Sequence, residues 1–204
     1  RKAKHTREAR KLGEVETLMK GTKSSTYKNV RIDTTELPEP FGGRRDADVV
    51  ILLANPKSEV KVAKRPNEHQ RGIIREGLVS PEGGDFFSIT DEFKETGAYD
   101  WWYPKLADLI EKEGLGVDRV SKSIQTIELH GYHSLKFVSP MVNFPSQAYQ
   151  FQLVRQAIQR GALIVIPWTV NFWQASVPEL ANPELLAEAK CEVVLGKPPY
   201  RRAG

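Results

Sequence analysis

The chain contains one cysteine, Cys191, in 204 residues, so it can close no internal disulfide and build no cysteine-rich zinc cage. That excludes a secreted disulfide scaffold and a zinc ribbon. No stretch reaches the eighteen or so consecutive apolar residues a membrane span requires, and residues 1–20 lack the apolar core of a signal peptide. A soluble, intracellular, cytoplasmic protein is therefore expected. The sequence also has no G-x-S-x-G, no Walker A element, no G-x-G-x-x-G and no visible catalytic triad. These absences argue against thiol proteases, α/β-hydrolases, P-loop NTPases and dinucleotide enzymes, and no cofactor is expected. There is no internal repeat and no low-complexity tract.

Charge is present but unevenly spread. The formal net charge is +4, yet residues 1–31 hold ten Lys or Arg against three acids, a net of +7 that leaves −3 for residues 32–204. Such an arm can follow a phosphate backbone or an acidic partner, or can simply be a solvated helix face with a frayed end. Within it, Thr6 to Lys20 is compatible with a helix whose apolar positions Leu12, Val15, Leu18 and Met19 form only a narrow stripe. Pro38, Pro40, Gly42 and Gly43 read as a break. At about 150 residues per domain the length predicts one domain. The expected division is a basic arm and helix over 1–45 and a single α/β domain over 46–204.

Four apolar runs suit strands: Asp48 to Ala54, Ile124 to Leu129, Ala162 to Pro167 and Cys191 to Leu195. Helical patterns separate them. Trp102, Leu106, Leu109 and Ile110 share one helix face; Phe151, Val154, Ala157 and Ile158 share another, with Ser146 as its expected cap and Gly161 just past its end. Strands alternating with helices predict a three-layer α/β/α fold around a central four-stranded, mainly parallel sheet. In such open sheets ligands bind outside the carboxyl ends of the strands.

The residues after those ends are the candidates. Asn55-Pro56 is a turn signal, but an Asn at the sheet mouth can also hold a water or a ligand amide; Ser58 follows it closely. Glu128, inside a buried run, needs either a partner or a place in the site. His130, Tyr132, His133 and Ser134 leave the second strand. A metal site would need further ligands than these two histidines, so metal binding is not expected. One imidazole is expected to bond within the turn and the other to face the crevice, unless both are structural. Phe86, Phe87 and Ser88 follow a glycine bend, and one of the two rings can stack on a flat ligand while the other belongs to the core. Trp168 follows the third strand, and Trp173 lies five residues on.

In order along the chain, Val49 to Pro56 (VVILLANP), Ile127 to Ser134 (IELHGYHS) and Leu163 to Trp173 (LIVIPWTVNFW) resemble the uracil-DNA glycosylase superfamily over roughly residues 46 to 195. The resemblance implies a parallel sheet with a DNA groove at its strand ends. Asn55 would position the attacking water, Phe87-Ser88 is similar to the family's base-stacking pair, and Glu128 and His130 stand where the family commonly has a base-reading Asn. The family's carboxyl-terminal His-Pro-Ser-Pro-like loop has no counterpart in Lys197 to Arg202. Its His role would fall to His130 or His133, with His133 the catalytic donor beside Asn55.

The function so implied is excision of a damaged or mismatched base by hydrolysis of its N-glycosidic bond, with DNA as partner. The alternative is a non-catalytic binder of nucleic acid or a nucleotide. A third is a structural member of a larger assembly, touching a neighbour through Trp168 and Trp173.

Overall fold

A computed structural model describes residues 32–33, 35–59, 61–134 and 144–196. The basic arm, the Thr6 to Lys20 helix and Lys197 to Arg202 lie outside the described residues. In chain order the elements are β1 (Ile32–Asp33), β2 (Phe41–Gly43), β3 (Val49–Leu53), α1 (Glu68–Val79), α2 (Gly97–Ala107), α3 (Gly116–Ser123), β4 (Ile124–Glu128) and β5 (His133–Ser134). They continue as α4 (Gln147–Gln159), β6 (Leu163–Ile166), α5 (Val170–Ser176), α6 (Pro183–Glu188) and β7 (Val193–Leu195).

The sheet has five strands in the order β2-β4-β3-β6-β7, not four. The four apolar runs form its parallel part, with Val50 opposite Gln125 and Ile164, and Ile164 opposite Val193. The fifth strand, β2, runs antiparallel to β4, so the sheet is mixed. It arises from the Pro and Gly stretch read as a break, and it brings the compact body forward of residue 46. Gly43 adopts φ +85°, and a Cβ there would lie 2.1 Å from the Ile124 carbonyl oxygen. The glycines therefore permit the close edge pairing rather than interrupt it.

Alternation along β3 sends successive side chains to opposite faces. Val50 and Leu52 join a core with Leu153, Val154 and Ile158 of α4 and with Trp173 of α5. Val49 and Ile51 pack against a second core that includes Leu106, Ile110 and Val120 from the α2–α3 region. Helices thus cover both faces, an arrangement compatible with three α/β/α layers. Each fully buried Val or Leu contributes about 1.5–3 kcal/mol of transfer free energy.

Two details of the helices differ from the expected stripes. Residues Asp108–Lys112 form a π-helical turn, and its wider i→i+5 spacing leaves Leu109 44% exposed while Leu106 and Ile110 stay buried. Ser146 makes no side-chain cap bond to α4; Gln147 accepts from the Phe144 amide at 2.7 Å instead. Gly161, at φ +74°, does close that helix. Among the described residues no helix is long and apolar enough to cross a membrane.

Candidate functional site

At the carboxyl ends of β3 and β4 lies a cleft of about 500 Å³. Asn55, Pro56, Ser58, Phe87, Ser88, Glu128, His133, Ser134 and Trp168 all line it. Residues distant in sequence meet there because β3 and β4 run parallel and in register, Leu53 opposite Glu128. The segment after β3 is then tied to β5: the Ser134 amide donates to Pro56 O at 3.1 Å, and the Ser58 amide donates to Ser134 O at 3.1 Å.

His130 and Tyr132 do not line the cleft. The consecutive amides of Leu129 and His130 both donate to β3, at Leu53 O and Ala54 O. A regular strand cannot direct two successive N–H groups to one neighbour, so face alternation breaks after Leu129, which still shares the core of Ile127. The His130 ring turns to Gln147, with Nδ1 3.1 Å from its Nε2, and lies edge-on to Phe144. Burial pushes its pKa down to about 4, so it is neutral. Tyr132 also meets the Phe144 ring edge-on.

Asn55 is held through its nitrogen. Its Nδ2 donates to Ser134 Oγ and to Pro56 O, both at 2.8 Å. With both amide protons engaged, Oδ1 is left to present an acceptor.

His133 is a caged cation. Its Nδ1 is 3.2 Å from Lys57 O and 3.6 Å from Glu36 Oε2, and its Nε2 is 3.3 Å from Glu39 Oε1. Burial opposes its charge, but Glu39, Glu36 and the Lys57 carbonyl outweigh burial and push its pKa up to about 9. The Nε2 contact has ion-pair distance without hydrogen-bond alignment, so that N–H keeps its donor capacity. Glu36 is itself raised by burial, partly offset by His133.

Glu128 forms part of the wall and is 8% exposed. Burial, then the Glu39 charge, raise its pKa well above the ordinary carboxyl value, with His133 acting in opposition. The balance drives it toward the uncharged acid.

Seven buried side-chain polar atoms among the described residues have no hydrogen-bond partner, and three of them line this cleft: Ser58 Oγ, Glu128 Oε2 and His133 Nε2. Each such atom costs about 1–3 kcal/mol unless something bonds it. Three of the seven therefore gather in one hollow, where a polar ligand could bond them.

Its walls are aromatic. Phe86 is core, edge-on to Trp102 with centroids 5.0 Å apart, while the half-buried Phe87 reaches the cleft and leans on Phe93 at 4.6 Å. Trp168 stands beside Thr169, whose φ of 65° is an outlier for a β-branched residue. Trp173 is completely buried and donates from Nε1 to Leu53 O at 3.0 Å, so it offers no surface to a neighbour.

Sequence reading missed Glu36 and Glu39, which also line the cleft. The available signal was two acids in a proline-broken segment ahead of the first long strand, a pattern that otherwise reads as solvated linker. Among the described residues no group of three or more His, Cys, Asp or Glu side chains is placed to share a metal ion. No family model, curated protein or solved structure matches the chain.

Proposed function

We propose that this chain is a divergent uracil-DNA glycosylase-like protein that excises a damaged or mismatched base by hydrolysing its N-glycosidic bond. The carrying observation is that Asn55, Phe87, Glu128 and His133, from four separate segments, line one cleft at the strand ends. A nucleotide turned out of the helix would place its base on Phe87, at a flipping cost of a few kcal/mol that is smallest at damaged or mismatched sites. The uncharged Glu128 carboxyl offers one donor and one acceptor, which matches the adjacent N–H and C=O of a uracil or hypoxanthine edge. Asn55 Oδ1 accepts from the attacking water.

As the water oxygen bonds to C1′, the C1′–N pair leaves with the base, and the water proton passes to solvent. His133 Nε2–H donates to the charge growing on the base, a role worth roughly 3 kcal/mol when well aimed. The test is mass-spectrometric release of free base from uracil-, thymine-mismatch- and hypoxanthine-containing oligonucleotides. Release from one of them is expected; release from none rejects the activity, and an unchanged rate in Asn55→Ala rejects the water-positioning role.

A second reading, a non-catalytic binder of nucleic acid or a nucleotide, is favoured by one feature. Glu36 and Glu39 are both engaged with His133, and Glu128 is driven neutral, so the acids near Asn55 are poorly placed to take a proton from water. Saturable nucleotide or oligonucleotide binding with no base released over prolonged incubation is its expected outcome.

A further inference from the structure

Two tryptophans on the cleft wall are far more exposed than their size warrants: Trp101 at 47% and Trp168 at 40%. They come from different elements, Trp101 from α2 and Trp168 from the turn after β6. The Trp101 ring is held in place by a cation. Lys105 Nζ sits 3.3 Å from the Trp101 ring centroid and donates to its carbonyl at 2.6 Å. Trp168 is carried on a turn set by the left-handed backbone of Thr169, whose hydroxyl donates to the Trp168 carbonyl. A fixed, exposed indole loses little freedom on binding a second flat group.

We infer that the cleft is the centre of a track for single-stranded nucleic acid, in which bases flanking the one in the cleft stack on Trp101 and Trp168. For the occupant of its centre this rests on the base-binding reading above. Two further observations select a nucleic acid. Residues 1–31, with their net charge of +7, join the described chain at Ile32, and Ile32 pairs with Ser134 on the cleft wall. The described chain therefore begins beside the cleft, and the basic residues precede that point in the sequence. Lys57 adds a cationic group to the same wall, where Lys64 is paired with Asp100 at 3.1 Å and Glu36 and Glu39 are turned to His133. Single strands are selected because an indole can stack only on a base whose face is free, and in a duplex both faces are covered by neighbours.

The test uses the full chain and a fluorescein-labelled twelve-residue oligothymidylate, followed by anisotropy, against the same strand annealed to its complement. The expected result is tighter binding of the single strand with quenching of tryptophan emission. Trp101→Ala and Trp168→Ala should each weaken binding about tenfold, with Trp168→Phe retaining most of it. Unchanged thermal melting of the variants confirms that they fold. Equal or tighter binding of the duplex, variants that bind like the parent, or no binding of either nucleic acid overturns the inference. Normal thymine in the probe keeps this readout separate from excision. Indole-dependent binding without base release from the damaged oligonucleotides sinks only the catalytic reading, whereas base release with indole-independent binding sinks only this one.

Discussion

At the level of single residues, the charge of His133 is set by what surrounds it. A folded pKa of about 9 against an ordinary 6.5 means the folded state holds the proton more tightly than the unfolded chain does. Its stabilising contribution is therefore complete below about pH 6.5 and is lost as pH rises through about 9, a change on the order of 3 kcal/mol. Glu128 and Glu36, both raised, work in the same direction. Urea denaturation at about pH 6.5 and about pH 9 should show the midpoint falling with pH, and His133→Gln should flatten that fall; an equal fall in the variant would refute the cage. Glu128 allows a second test. Glu128→Gln keeps one donor and one acceptor on a neutral group and should preserve base affinity within a few-fold. Glu128→Ala removes both and should weaken base binding by roughly ten- to a hundredfold, as expected when a buried hydrogen bond of about 1–3 kcal/mol is removed. Calorimetric titration with uracil distinguishes the two.

At the level of elements, the four parallel strands were legible as short apolar runs between helical patterns, the first and third continuous as suits strands covered on both faces, while the edge strand β7 leaves Val194 and Leu195 exposed. Strand β2 was not legible. Three residues, two of them glycine, carry no periodicity, and only the pairing Phe41 to Ile127 and Gly43 to Gln125 makes them a strand. The same limit applied to the site. Asn55, Ser58 and His133 could be placed from their positions after strand ends, Glu128 from its charge inside a buried run and Phe87 from the glycine bend before it, but the break in alternation that turns His130 away lies in backbone bonding. The proline-flanked Glu36 and Glu39 acquire meaning only through His133. Thr169 is a related case, since nothing in its sequence context announces a left-handed backbone. That conformation costs about 1–2 kcal/mol in a residue with a Cβ. Thr169→Gly relieves it but adds about 0.5–1 kcal/mol of unfolded-chain entropy. The variant should therefore melt at the same temperature or slightly higher, yet bind oligothymidylate more weakly as Trp168 loosens. A variant that melts lower and binds normally would show that the turn serves stability alone.

At the level of the whole molecule, opposite charge is kept on separate parts of one chain, +7 on residues 1–31 and −3 on the remainder. Under the proposed function the division of labour is long-range attraction by the arm and base discrimination by the cleft. The two respond differently to salt, because neutralising a phosphate releases counterions while stacking and buried hydrogen bonds do not. Replacing Lys2, Lys4, Arg7, Arg10 and Lys11 by Gln should make the slope of log binding constant against log salt for single strands shallower by up to about 3.5, at about 0.7 for each phosphate no longer neutralised. The cleft is untouched by those changes. Base release should therefore keep its maximal rate at saturating oligonucleotide while the concentration needed for half-saturation rises, most steeply at low salt. A salt slope indifferent to the five replacements would mean that the arm does not meet the phosphates. A fall in maximal rate without a change in half-saturation would instead make the arm part of the cleft's own chemistry.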